Sequence, residues 1–175
     1  MKFAEWFEKK LYVYSFPILN NRFFNASEWN VVINVSDEYH HDVVKKIKEE
    51  HPYTETHWFP MNECKKDVGL NSVYAAMVIL YEAEINNKSV YLHCHAGVNR
   101  SPAIAAAYYF MRTGTHLKAS ENGFMNRLLA MCGRGYLPPK SETEKFLQEV
   151  AIFLQTQKMQ GGYLDKIKID SINNF

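Results

Sequence analysis

The stretch Ser89-Val-Tyr-Leu-His-Cys-His-Ala-Gly-Val-Asn-Arg-Ser-Pro-Ala-Ile-Ala-Ala-Ala-Tyr-Tyr-Phe-Met-Arg112 decides the fold of this 175-residue chain. It begins with a short apolar run at 90–92, which is typical of a buried strand. A turn with Gly97 at its centre follows. The alanine-rich segment from Ser101 onward predicts a helix, and Pro102 stands in its first turn, where proline is tolerated. A cysteine therefore follows the end of a predicted strand, and an arginine stands at the start of the next predicted helix.

This strand–turn–helix arrangement suits the binding of an anion. Backbone N–H groups at the start of a helix have no intrahelical partner and lie at the positive end of the helix dipole. Gly97 lets the backbone approach a bound phosphate closely, and the guanidinium of Arg100 can hold two phosphate oxygens. In such a cradle we expect Cys94 to be a thiolate, which makes it a nucleophile for phosphoryl transfer.

The segment His93-Cys94-His95-Ala96-Gly97-Val98-Asn99-Arg100-Ser101 resembles the His-Cys-x5-Arg-Ser/Thr signature of the cysteine-based protein tyrosine phosphatases. Its Ala-Gly centre and Arg-Ser-Pro ending resemble the dual-specificity branch of that superfamily. The resemblance extends over residues 11–157 and implies catalytic roles for Cys94 and Arg100. It implies phosphate binding by the backbone of residues 95–100, and a supporting role for His93 in ordering the loop. It also implies that the hydroxyl of Ser101, a natural helix N-cap, stabilises the departing thiolate.

Short apolar strands that alternate with helical patterns predict an α/β fold, with a mostly parallel sheet and helices on its faces. The predicted strands are 11–16, 31–35, 54–59 and 90–92. The predicted helices are 1–10, 41–50, 70–86, a helix from Ser101 onward, 117–131 and 141–157. In such sheets ligands bind beyond the carboxyl ends of the strands, where Cys94 is placed. We expect one catalytic domain at 1–157, followed by a tail at 158–175 that is either an edge strand or loose.

Composition restricts the classes of function. Hydrophobic residues make up 47% of the chain and aromatic residues 14%, which is typical of a globular protein. The net charge of +1 gives no general attraction to nucleic acid or to a membrane. Three cysteines form no disulfide framework. No apolar run approaches the length of a membrane span, and residues 1–10 lack the apolar core of a signal peptide. These features predict a soluble cytoplasmic protein, and they leave its oligomeric state open.

The chemistry also needs a carboxylic acid that protonates the leaving group. In the resembling family this is an Asp about thirty residues before the cysteine, but the present chain has Asn62 at that spacing from Cys94. Glu63 is the preferred acid and Asp67 is the second candidate; in a third interpretation both are ordinary surface carboxylates. Asp37 follows another strand at the same edge of the sheet, and we interpret it as a turn or cap residue rather than a catalytic one.

The remaining cysteines and the His-Cys-His run need a separate interpretation. Adjacent residues at a strand end point to opposite faces and no second cluster of ligands follows, so the sequence predicts neither a metal nor another cofactor. Cys64 and Cys132 are interpreted as semi-buried structural thiols. An oxidative disulfide between Cys64 and Cys94 is the alternative.

The sequence therefore predicts a phosphomonoester hydrolase that works through a cysteinyl-phosphate intermediate. The short chain favours a shallow site and phosphorylated proteins as partners, with phosphotyrosine and phosphoserine or phosphothreonine as substrates. A phosphoinositide is less favoured because only His95 adds charge within the loop. An RNA 5′-phosphate is less favoured because the chain lacks a basic patch with interleaved aromatic residues. A phosphate-binding protein without turnover and a sulfurtransferase of the rhodanese type are the alternatives from other classes.

Overall fold

The computed structural model describes residues 1–17, 25–61, 70–97 and 100–113. Within these ranges each predicted strand and helix is present, with ends that differ by at most two residues. The elements in chain order are α1 (Phe3–Lys9), β1 (Leu11–Tyr14), a 3₁₀ turn (Ala26–Glu28), β2 (Val31–Asn34), α2 (His41–Glu50), β3 (Glu55–Trp58), α3 (Leu70–Ile85), β4 (Val90–His93) and α4 (Arg100–Thr113). The helices predicted at 117–131 and 141–157 and the tail at 158–175 lie outside the described residues.

The four strands form one sheet in the order β1-β4-β2-β3, and every neighbouring pair is parallel. This confirms the expected α/β architecture. Strand β4 is central, with Val90 paired to Leu11 on one side and to Val31 on the other. Because all strands run in one direction, their carboxyl ends meet along one edge of the sheet. The residue that follows β4, Cys94, is delivered to the middle of that edge.

The main core fills one face of the sheet. Alternate strand residues point to the same face, and those on this face are fully buried: Leu11, Val13, Val31, Ile33, Val90 and Leu92. Helices α1, α3 and α4 cover them. On α3, the buried residues Val73, Met77 and Leu80 follow the helical spacing that the sequence predicts. A smaller cluster that includes Val32 and Tyr91 fills the opposite face under α2, so the central strands are buried on both sides.

A charged network joins the far end of α4 to α3. The guanidinium of Arg112 donates to both carboxylate oxygens of Glu84, through Nε at 2.9 Å and Nη2 at 2.8 Å. The hydroxyl of Tyr108 also donates to Glu84. This fork of hydrogen bonds fixes α4 against α3, and it therefore also fixes the first turn of α4, which carries Arg100.

Candidate active site

Cys94 lies at the floor of the loop between β4 and α4. Only 1% of the surface of Cys94 is exposed to solvent. The hydroxyl of Ser101 is 3.4 Å from the Cys94 Sγ and 3.2 Å from the carbonyl oxygen of Tyr14, so its single proton can be donated to either acceptor. Ser101 is itself fully buried. The first turn of α4 therefore presents a hydroxyl to the sulfur.

The end of β1 closes one side of the loop. Gly97 has φ +72°, and a Cβ built on it would lie 2.3 Å from the backbone nitrogen of Ser15. A side chain at this position would thus require the backbone of β1 to move, in addition to the strain of the left-handed conformation. The Phe16 N–H donates to the His95 carbonyl at 2.9 Å. The predicted glycine at the centre of the turn is therefore required for a close backbone approach.

The end of β2 closes the other side. The Val35 N–H donates to the carbonyl of His93 at 2.8 Å. The turn that follows is tied together by its own side chains: the Asn34 Oδ1 accepts from the Ser36 N–H at 2.8 Å, and the Asn34 Nδ2 donates to the Glu38 carbonyl at 2.8 Å. The indole N–H of Trp58 donates to the Ser36 carbonyl at 2.9 Å. Asp37 stands within this turn and is held close to the loop.

Arg100 is nearly buried, with 5% of its side chain exposed. Its Nη1 donates to the Asp37 Oδ1 at 2.6 Å and to the Met61 carbonyl at 3.1 Å. The hydrogen bond from Arg100 holds the pKa of Asp37 below its ordinary value, so this carboxylate is ionised at neutral pH. The sequence position of Asp37 predicts a turn or cap residue and gives no indication of this ion pair. The available signal was its position, just beyond a strand adjacent to β4 in a parallel sheet.

His93 is buried next to Cys94. Its residue is 1% exposed, and its Nδ1 lies 3.2 Å from the Cys94 carbonyl oxygen. Burial lowers the pKa of His93 to about 4, an effect that the contact with the Cys94 carbonyl opposes and the nearby His40 reinforces. The ring is therefore neutral at physiological pH, and it fits the expected role in ordering the loop rather than a role as a cation.

This burial predicts a loss of stability in mild acid. In the unfolded chain the His93 side chain has a pKa of about 6.5 and binds a proton below that pH. In the folded protein the same side chain binds a proton only below about pH 4. Stability therefore falls as pH drops through this window. Between pH 7 and pH 5 we expect the protonation of His93 in the unfolded chain to lower the free energy of unfolding by about 2 kcal/mol. Urea titrations of the wild type and His93→Asn at both pH values measure it.

The variant should show a pH dependence smaller by that amount. An equal pH dependence in wild type and His93→Asn would contradict the assignment. His40 contributes in the same direction, because burial also lowers its pKa, but it is present in both proteins.

The other predicted loop residues divide into two groups. His95 and Ala96 are exposed, and the His95 Nδ1 is 4.0 Å from the Glu38 Oε2 at the rim. Because these side chains are exposed, the backbone of residues 95 and 96 is left to line the inside of the loop. Val98 and Asn99 lie outside the described residues, as do the acid candidates Glu63 and Asp67, together with Asn62, Cys64 and Cys132.

In the part of the chain that the structure describes, no group of three or more His, Cys, Asp or Glu side chains could hold a metal ion. Among the same residues, no helix has the length and apolar character needed to cross a membrane.

The site is assembled from β4, α4 and the ends of β1 and β2. It consists of a buried thiol, a hydroxyl and a guanidinium around a tight backbone turn. Such an arrangement can hold a tetrahedral anion over a sulfur nucleophile.

Residues 11–129 match the family model described as dual specificity phosphatase, catalytic domain. No curated protein has significant sequence similarity to this chain. Among solved structures, a mutant form of Tk-PTP is 15% identical with a TM-score of 0.57, covering 85% of this chain and 93% of its own.

Two further solved structures have similar folds. The core catalytic domain of the PP-IP phosphatase SIW14 from S. cerevisiae, in complex with citrate, is 11% identical with a TM-score of 0.59, covering 85% of this chain and 88% of its own. PTPMT1 is 14% identical with a TM-score of 0.55, covering 86% and 97%. At these identities the likeness concerns the fold alone.

Proposed function

The chain belongs to the dual specificity phosphatase catalytic-domain family, and from that premise we propose that it hydrolyses phosphomonoesters through a cysteinyl-phosphate intermediate, with phosphorylated proteins as substrates. Family membership and the fold support phosphatase function in general. The single observation that carries the specific proposal is the contact between the Ser101 hydroxyl and the buried Cys94 sulfur, at the start of the helix that Arg100 opens.

In the first step, the ionised sulfur of Cys94 attacks phosphorus and forms an S–P bond, while the bond from phosphorus to the ester oxygen breaks. The guanidinium of Arg100 and the backbone N–H groups of residues 95–100 hold the three outer oxygens. These donors stabilise the charge that is spread over the oxygens in the transition state. A carboxylic acid protonates the leaving alkoxide or phenoxide.

In the second step, water attacks phosphorus and the S–P bond breaks, which releases inorganic phosphate. The same carboxylate, now ionised, takes the proton from the water. The Ser101 hydroxyl stabilises the departing thiolate, and its 3.4 Å distance to the Cys94 Sγ supports this role. The scheme requires no metal ion.

Glu63 is the proposed general acid, with Asp67 as the second candidate. Asp37 is the described carboxylate that contacts Arg100, but the arginine holds the pKa of Asp37 below its ordinary value. A group that stays ionised at neutral pH is a poor proton donor. Because the ion pair with Arg100 keeps Asp37 ionised, Asp37 is a poor general acid, and we prefer an acid from residues 62–69.

Removing the acid should lower turnover of esters with poor leaving groups. We expect Glu63→Gln to reduce kcat for a phosphopeptide by about 10²-fold or more and to remove the basic limb of the pH–rate profile, because the acid must be protonated to act. Asp67→Asn should have a smaller effect. The measurement is kcat against pH for phosphothreonyl peptide and for p-nitrophenyl phosphate, whose better leaving group needs less help.

Asn62→Asp supplies a matched test, since it installs a carboxyl at the position where the family has its acid. In the Glu63→Gln background it should recover part of the lost rate. If Glu63→Gln and Asp67→Asn both retain the wild-type rate at its optimum, neither residue is the acid.

The charge around the described site supports protein substrates over polyanions. Asp37 and Glu38 stand side by side at the rim, with 63% and 67% of their side chains exposed. The carboxylate of Glu38 opposes the approach of additional phosphates on an inositol ring or of an RNA backbone, whereas the charge of Asp37 is offset by Arg100. The competing substrate class is an inositol phosphate, because the solved structure of SIW14, which has a similar fold, is described as a PP-IP phosphatase.

Phosphate release from a panel of substrates tests the proposal. The panel contains phosphotyrosyl and phosphothreonyl peptides, an inositol polyphosphate and a 5′-phosphorylated RNA, with p-nitrophenyl phosphate as the general reporter. Peptide turnover above that of the other substrates is the expected result. Binding of tungstate without turnover of any ester would favour a phosphate-binding protein, and sulfur transfer from thiosulfate would favour a sulfurtransferase.

A further inference from the structure

We propose that Glu38, Tyr39 and Trp58 form a subsite for a cationic side chain of the substrate, an arginine or a lysine close to the phosphorylated residue. The inference rests on the proposed function, since it assumes that the loop after β4 holds the phosphoryl group of a protein substrate. It narrows that class of substrate to phosphopeptides with a basic residue beside the phosphorylation site.

The three residues lie along the same edge of the sheet as Cys94. Strand β2 is the neighbour of β4 and β3 is the next strand, so this edge leads from the loop to the segment after β2 and then to the end of β3. Glu38 and Tyr39 belong to that segment, and Trp58 is the last residue of β3. Neighbouring strands are about 4.8 Å apart, so the end of β3 is about 10 Å from the end of β4. An extended peptide covers this span in about three residues.

Glu38 supplies negative charge to the subsite. Its side chain is 67% exposed, and its Oε2 lies 4.0 Å from the Nδ1 of His95, which is too far for a hydrogen bond. In the part of the chain that the structure describes, the Glu38 carboxylate has no lysine or arginine partner, whereas the carboxylate of Asp37 is paired with Arg100. At the described rim, the negative charge that is left to attract a cation from the substrate is therefore that of Glu38.

Tyr39 and Trp58 place aromatic faces beside this charge. Both are large side chains that remain exposed, at 37% and 40%. Their ring centroids are 5.2 Å apart and their planes are inclined by 57°, so the rings form a corner rather than a flat stack. His41 contacts Tyr39 edge to face, with the centroids 4.4 Å apart. An aromatic face next to a carboxylate favours a cation, because the ring quadrupole and the carboxylate both attract positive charge.

The backbone that carries the subsite is fixed by hydrogen bonds within the chain. The Ser36 hydroxyl lies 2.6 Å from the Asn34 Oδ1 and 2.9 Å from the Glu38 carbonyl. The indole N–H of Trp58 donates to the Ser36 carbonyl at 2.9 Å, which joins the aromatic ring to the segment that carries Glu38. A subsite that is ordered in advance loses little conformational entropy when it binds a side chain.

Peptides that differ in one residue test the charge of the occupant. The starting peptide is the phosphopeptide of the panel that the wild type hydrolyses fastest, with alanine at the three positions on either side of the phosphorylated residue. A single arginine is placed at each of these positions in turn and compared with citrulline, which has almost the same shape without the charge. At the best position we expect arginine to raise kcat/KM about tenfold over citrulline. High salt should reduce this preference, because it screens exposed charges.

Substitutions assign the preference to Glu38 and Tyr39. Because the preference is a ratio of two substrates for one variant, a general loss of activity cancels. Glu38→Gln should remove most of the preference, and Glu38→Lys should reverse it. Tyr39→Leu should reduce it about twofold to fivefold, while Tyr39→Phe keeps the ring and should retain it. The control is Glu49→Gln, which removes a carboxylate with a similar exposure of 64% from the last turn of α2 and should retain the preference.

Two results would overturn the proposal: equal turnover of arginine and citrulline peptides at every position, or an arginine preference that is unchanged in Glu38→Gln. If the wild type hydrolyses no ester, the proposed function fails instead. Calorimetric affinities of the arginine and citrulline phosphopeptides, measured for the wild type and Glu38→Gln, then decide whether the subsite binds a cation.

Discussion

Serine in place of Cys94 is expected to reduce kcat for p-nitrophenyl phosphate by about 10⁴-fold or more, a loss typical of removing a nucleophile. The hydroxyl of serine is not ionised at neutral pH, whereas a cysteine in an anion-binding loop is readily converted to the thiolate. The replacement changes one atom at a position that is 1% exposed and whose sulfur accepts from Ser101. The fold and the oxyanion site should therefore survive.

Two measurements make this loss specific to the nucleophile. Tungstate binding to Cys94→Ser should persist, because the backbone donors and Arg100 are unchanged. Cys132→Ser, which removes a different thiol, should retain the wild-type kcat. Turnover by Cys94→Ser at a rate near that of the wild type would reject the cysteinyl-phosphate mechanism.

Replacing Arg100 with lysine is expected to lower kcat/KM by about 10³-fold. Arginines that stabilise a phosphoryl transition state contribute 10³-fold to 10⁵-fold, and a lysine ammonium cannot form the planar, bidentate contact. The shorter group also loses the geometry that directs Nη1 to Asp37 and to the Met61 carbonyl. Steady-state kinetics with p-nitrophenyl phosphate, together with the tungstate dissociation constant, give the size of the loss.

Arg112→Lys is the matched control for Arg100→Lys. Arg112 lies on the same helix and is paired with Glu84, but at the opposite end of α4. It should lower the melting temperature while leaving kcat/KM close to that of the wild type. Arg100→Lys should instead lower kcat/KM, which separates a loss at the site from a loss of packing between α3 and α4. Equal kinetics in Arg100→Lys and the wild type would remove Arg100 from the mechanism.

The order of the elements could be predicted from local patterns. Val90 to Leu92 is a continuous apolar run because β4 is buried on both faces of the sheet, and α3 shows its buried side through Val73, Met77 and Leu80. Cys94, Arg100 and Ser101 can be singled out as candidate site residues because they stand close together in the chain. A loop of this kind is built from consecutive residues, so its chemistry is visible in their order.

The partners of that loop could not be predicted in the same way, because they come from distant parts of the chain. Asp37 reaches Arg100 across 63 positions in sequence, and Ser101 reaches the Tyr14 carbonyl across 87. Only the pairing of β1 and β2 on either side of β4 brings these groups together. The sequence alone predicts the loop, the kind of anion that it suits and the sulfur below that anion. The tertiary structure decides which distant segments close the loop, because strand order is set by packing over the whole sheet and not by any local pattern.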